Sequence, residues 1–134
     1  MKKVRFILFA ALLLAACQPG VPLTSVPVET LAVSADEIVG VWWYTQARAM
    51  IEFKADGTSR VFFGSDTYDE ANYTFEDGKV TWATSNACKD IPATYEAYLM
   101  QDGDTTWLRM QVVGSDPCKN RAEVLAGKAK FQNP

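Results

Sequence analysis

From Gly40 onward, apolar and polar side chains alternate with a period of two. Ile51 and Phe53 alternate with Met50, Glu52 and Lys54, and Val61 and Phe63 with Arg60 and Phe62. Tyr73 and Phe75 alternate with Asn72, Thr74 and Glu76, and Val80 and Trp82 with Lys79 and Thr81. Leu108, Met110 and Val112 alternate with Arg109 and Gln111. Successive side chains of a strand point to opposite faces, so each run reads as a strand with one buried face. Asp-Gly recurs between the runs, at Asp56-Gly57, Asp77-Gly78 and Asp102-Gly103, and this pair supplies the positive φ angles of tight hairpins. The spacing predicts strands over 41–45, 49–54, 58–63, 71–76, 79–84, 94–100 and 105–113, a short helix over 119–126 and an eighth strand over 127–132. Both faces of 94–100 are partly apolar, and Tyr95, Ala97 and Leu99 are taken as the inward set.

Hairpin following hairpin leaves no crossover for a parallel sheet. One buried face repeated over seven or eight strands is covered most economically by closure into a small barrel, which also removes exposed edges. The expected fold is therefore all-β, an antiparallel meander closing into a barrel with a short C-terminal helix.

The N-terminus follows different rules. Lys2, Lys3 and Arg5 precede an apolar run from Phe6 to Ala16. That run is shorter than the roughly 20 residues a membrane-spanning helix needs, so it reads as a secretory signal. Leu14-Ala15-Ala16-Cys17 resembles the lipobox of bacterial lipoproteins. The resemblance implies cleavage before Cys17, a diacylglycerol on its thiol and a further acyl chain such as palmitate on its amine. Two or more chains are what stable anchoring takes. Gln18, rather than Asp, follows the cysteine, so nothing argues for retention at an inner membrane. The expected location is the cell envelope, outside the cytoplasm, on the outer membrane if the host has one. Residues 18–33 carry Pro19, Pro22 and Pro27 and no strand or helix period, which reads as an extended spacer. Ser34 then looks like an N-cap, with Asp36 and Glu37 in a single short turn. The expected division is a signal over 1–16, a lipidated tether over 17–36 and the barrel over 37–134.

With Cys17 assigned to lipid, Cys88 and Cys118 remain. In an oxidising compartment a pair of cysteines is usually a disulfide, and this one would clamp the open end of the hairpin formed by 94–100 and 105–113. Closing a loop of that length gives about 3.7 kcal/mol on the chain-entropy argument. Charge narrows the partners. All 16 acidic residues lie beyond Cys17 but three of the 13 basic ones precede it, so losing the leader takes the net charge from −3 to −6. That balance disfavours nucleic acid and anionic membrane surfaces. The chain has no histidine, which removes His-based triads and His-ligated zinc. No cofactor or metal is expected. The acids Asp66, Asp69 and Glu70 read as a solvated loop, and Glu52, Glu76 and Glu96 form no evident catalytic pair.

The inward set is rich in rings: Trp42, Tyr44, Phe53, Phe63, Tyr73, Phe75, Trp82 and Tyr95. They either fill the barrel or leave an apolar pocket at one mouth. Gly40-Val41-Trp42 opens the first strand and resembles the Gly-x-Trp motif of lipocalins, and Arg121 falls in the short helix after the last long strand. The resemblance, over about residues 37–132, extends to small lipocalin-like bacterial lipoproteins. It implies that Arg121 packs over Trp42 and closes the barrel base. The chain is shorter than most lipocalins. The expected function is a non-enzymatic, lipid-anchored barrel that binds a small apolar or amphipathic ligand. Tyr44, Phe53, Phe63, Tyr73, Phe75, Trp82, Tyr95 and Met110 are the candidate contacts. The alternative is an envelope protein-binding factor, for example a hydrolase inhibitor, with a filled core and Phe62, Tyr68 or Tyr98 exposed as a patch.

Overall fold

A computed structural model describes residues 26–64 and 67–132. The signal segment, Cys17, the first part of the tether and Asp66 lie outside the described residues. The elements are β1 (Glu29–Leu31), a 3-10 turn (Ala35–Glu37), β2 (Gly40–Tyr44), β3 (Ala49–Phe53) and β4 (Thr58–Phe63). There follow β5 (Thr67–Glu76), β6 (Lys79–Ser85), β7 (Ala93–Asp102), β8 (Thr105–Val112), α1 (Lys119–Leu125) and β9 (Lys128–Gln132). Strands β2 to β9 pair antiparallel in the circular order β2-β3-β4-β5-β6-β7-β8-β9, and β9 returns to β2. The result is a closed eight-stranded antiparallel barrel with one short helix.

The three Asp-Gly pairs make three different turns. Glu76 pairs with Lys79, and both Asp77 and Gly78 have positive φ, as a type I′ turn demands. Asp102 pairs with Thr105, so Gly103 becomes the first central residue and alone carries the positive φ, the mark of type II′. Between β3 and β4 the loop is one residue longer. The Lys54 N–H donates to the Thr58 carbonyl, and Gly57 holds the left-handed position.

These turns, the 3-10 turn and the last residues of β9 gather at one end, which is sealed. The side chain of Ile38 is fully buried there, and the Trp42 Nε1–H donates to the Ile38 carbonyl at 2.7 Å. Phe131 meets the Trp42 ring edge-on at 5.0 Å. It also explains the glycine of the Gly-Val-Trp opening. Gly40 has φ +132°, and a Cβ there would lie 2.5 Å from Phe131 Cε2. At the other end lie the β2–β3, β4–β5 and β6–β7 connections and α1.

Two segments depart from the expected layout. The tether drawn to residue 36 joins the fold earlier, because β1 pairs antiparallel with β7, Glu29 opposite Met100 and Leu31 opposite Tyr98. β7 outlasts β6 and would otherwise leave part of its edge bare past the β5–β6 turn. The Ala97 N–H donates to Gly78, and the Ala97 carbonyl accepts from Ala32, so β1 takes over the ladder where β6 ends. Its Leu31 fills the space where Gly78 lacks a side chain. Arg109 fixes the other end by donating to Glu29, Nη2 to Oε2 at 2.8 Å. The second departure is β5, which starts at Thr67 rather than 71. Asp69 and Glu70 therefore lie on a strand, not in a solvated loop. The β4–β5 ladder sets Arg60 opposite Glu70, and the two form an ion pair at 2.7 Å. Backbone pairing and that cross-strand pair override the poor strand propensity of the acids.

Cys88 and Cys118 stand at disulfide distance, with Cα atoms 5.5 Å apart, and clamp the open end of the β7–β8 hairpin. Replacing either by serine should lower the unfolding free energy by about 2–5 kcal/mol. Urea denaturation of oxidised protein would read this, and an unchanged midpoint would show that the clamp bears no load.

Candidate functional site

The inward rings do not fill the barrel evenly. Tyr73, Phe53, Trp82 and Tyr95 touch in sequence, with centroids 5.2, 5.8 and 5.6 Å apart, two of the three contacts edge-to-face. The Tyr73 hydroxyl donates to the Lys54 carbonyl, and the Trp82 Nε1–H donates to Ser59 Oγ at 3.1 Å. Together they floor the interior. On the α1 side of that floor lies a cavity of about 450 Å³, within the range of small-molecule sites. Trp82, Ile51, Val61 and Ala71 form its inner wall, and Val124 and Leu125 of α1 close it from above. Asp69, Ser85, Gln46, Asn120, Arg121 and Glu123 supply its polar groups.

Of the eight candidate contact residues, the structure brings two to the cavity, Phe63 and Trp82. Phe63 stands at the mouth, 41% exposed, because β4 ends there and no strand covers it. Tyr44, Phe53, Tyr73, Tyr95 and Met110 are buried in the packed core, and Phe75 packs against it. Tyr44 is fully enclosed, its hydroxyl has no hydrogen-bond partner among the described residues, and burial pushes its phenol well above the usual range.

Arg121 does not reach Trp42. It belongs to the α1 end, whereas Trp42 faces the sealed one. The guanidinium forks onto Asp116, Nε to Oδ2 at 2.6 Å and Nη2 to Oδ1 at 2.8 Å, and Nη2 also donates to the Ile91 carbonyl. A carboxylate five residues away competes better for a guanidinium than an indole face does. Asp116 further accepts from the Tyr95 hydroxyl at 2.5 Å and the Cys118 N–H at 2.8 Å. Its side chain is 1% exposed and that of Arg121 9%. Burial alone would raise the Asp116 carboxyl, but the hydrogen bonds from Arg121, Tyr95 and Cys118 more than offset it, and the net shift is downward. Burial first, then the bond to Asp116, raises the Tyr95 phenol. This hub and the disulfide at the residue preceding α1 hold the helix across the barrel end. Among the described residues, a cation–π contact does form on the outer face, Arg109 over Tyr98 at 4.6 Å. With its hydroxyl bonded to Glu96, Tyr98 is covered rather than presented as a patch.

Sequence reasoning missed Ser85. Strict alternation from Val80 and Trp82 turns residue 85 outward. The β5–β6 ladder skips Ala83, since Asn72 pairs with Thr84 but Tyr73 with Trp82. That bulge re-aims Ser85 inward, where its hydroxyl donates to Asp69 Oδ2. The Ala87 N–H donates to Asp69 Oδ1 at 3.2 Å. Nothing in Trp-Ala-Thr-Ser announces the bulge. Among the described residues, no three His, Cys, Asp or Glu side chains gather as a metal site requires. No known protein family, curated protein or solved structure matches the chain.

Proposed function

We propose that this chain is a lipid-anchored, extracytoplasmic barrel that binds a small apolar or amphipathic ligand in the cavity beneath α1. The cavity carries the reading: about 450 Å³, an aromatic floor, aliphatic walls and a polar mouth. A filled interior would favour the protein-binding alternative, and the interior is filled only on the sealed side. Two of the three charged groups of the wall are engaged in structural bonds, Arg121 with Asp116 and Asp69 with Ser85 and Ala87, which suits a container better than a catalyst. The lipobox-like leader supports the anchor, and the Gly-x-Trp opening supports kinship with lipocalin-like lipoproteins.

Binding of a neutral naphthylamine fluorophore to the purified mature chain tests the cavity. Wild-type protein should enhance its emission and quench tryptophan through Trp82. Ala71→Phe, which grows into the cavity, should abolish binding and leave the fold intact. Ala97→Phe, in the packed half, should instead cost about 1–3 kcal/mol by overpacking while binding persists in the folded fraction. Wild-type protein that binds no apolar probe would overturn the reading. The anchor has its own test. Wild-type protein should carry acyl mass on Cys17 and fractionate with membranes, and Cys17→Ser should do neither. Soluble wild-type protein without added mass would refute it.

A further inference from the structure

We infer that the cavity selects amphiphiles with a cationic head group, such as long-chain ammonium compounds, and discriminates against carboxylates of the same chain length. The inference rests on the ligand-binding reading and adds the chemical class of the ligand. Three charged side chains stand on the cavity wall: Asp69, Arg121 and Glu123. The one cation is already neutralised. Arg121 is held bidentately by the buried Asp116 and fixed further by the Ile91 carbonyl. The two acids have no such compensation. Both oxygens of Asp69 are met by neutral donors, the Ser85 hydroxyl and the Ala87 N–H, which orient the carboxylate without cancelling its charge. Glu123 is exposed on α1 at the mouth.

A ligand whose chain lies over Trp82, between Val61 and Leu125, leaves its head near Asp69 and Glu123. With the Arg121–Asp116 pair set aside, the side chains that line the cavity carry a net charge of −2, from Asp69 and Glu123. An ammonium there meets two carboxylates in a partly desolvated setting and, at the mouth, the ring of Phe63, which also attracts cations. A fatty-acid carboxylate in the same place meets like charge, and reaching the guanidinium means competing with Asp116. The chain as a whole is acidic beyond Cys17, so the long-range field acts in the same direction.

Competition against the neutral fluorophore tests this, using the mature chain with Cys17→Ser to keep acyl chains out of the assay. The competitors are dodecyltrimethylammonium, dodecanol and laurate, each below its micelle concentration. The ammonium should bind roughly tenfold more tightly than laurate at low salt, with dodecanol between them, and added salt should shrink the gap. Glu123→Gln and Asp69→Asn should each narrow the preference, and together bring the ammonium and laurate to within about twofold, each measured relative to dodecanol in the same variant. Glu123 is exposed, so its variant tests the charge without threatening the fold. If all three competitors bind equally, or laurate binds best, the inference on charge fails and the cavity reading stands. If neither the fluorophore nor any competitor binds, the cavity reading itself fails.

Discussion

Arg121→Ala should lower the unfolding free energy by about 3–5 kcal/mol, the cost of leaving one member of a buried ion pair behind. Asp116 would keep the Tyr95 hydroxyl and the Cys118 N–H but lose its only charged partner among those that contact it. A carboxylate 1% exposed cannot turn to water. The pH dependence follows from the same balance. In the wild type the Asp116 carboxyl lies below its unfolded value, near 3.9, so its contribution is present above that pH and fades as acid protonates the folded form. Without Arg121 only the Tyr95 and Cys118 bonds oppose the desolvation, so the downward shift shrinks. The variant should then lose less stability than wild type between about pH 6 and pH 3. Replacing both partners by apolar residues, Asp116→Leu with Arg121→Met, should recover only part of the loss, because the Tyr95 hydroxyl and the Cys118 N–H are then left without their acceptor. Chemical denaturation of the three proteins at several pH values would decide this. An Arg121→Ala protein as stable as wild type would show that the hub does not hold α1.

Trp42→Ala should cost a similar amount, about 3–5 kcal/mol, for a different reason. The ring is 1% exposed, edge-on to Phe131, with its Nε1–H on the Ile38 carbonyl. Removing it opens a void between β2 and β9 and orphans a buried acceptor. Trp42→Phe separates the two effects, since it keeps most of the ring and loses the hydrogen bond, worth about 1 kcal/mol. Near-ultraviolet circular dichroism and urea midpoints would register both. If Trp42→Ala unfolds at the wild-type midpoint, the base is sealed by other contacts.

What was legible in the sequence tracks what alternation can encode. β3 buries every second side chain, as do β6 at Val80 and Trp82 and β8 at Leu108 and Met110, and their inner face was plain there; beyond Met110 the period fails, since Val112 is exposed. β1 was invisible because all three of its side chains are exposed, and it forms only to complete the edge of β7. The inward aim of Asp69 was hidden by acids that read as loop, and that of Ser85 by a bulge. The cavity wall escaped for a further reason. Five of its sixteen residues come from α1, whose placement depends on Asp116 and Cys118 rather than on any period. Arg121 was expected to pack over Trp42 and instead forks onto Asp116, a pairing no period encodes.

The pairing of β1 also sets a direction. Because β1 runs antiparallel to β7, Glu29 lies nearer the β7–β8 turn than Leu31 does, and the chain enters the domain from the sealed side. The described chain therefore begins on the Trp42 side of the barrel, and the opening beneath α1 lies at the opposite end. Were the chain anchored through Cys17 as proposed, a cargo would pass between the barrel and the surrounding fluid, not between the barrel and a bilayer.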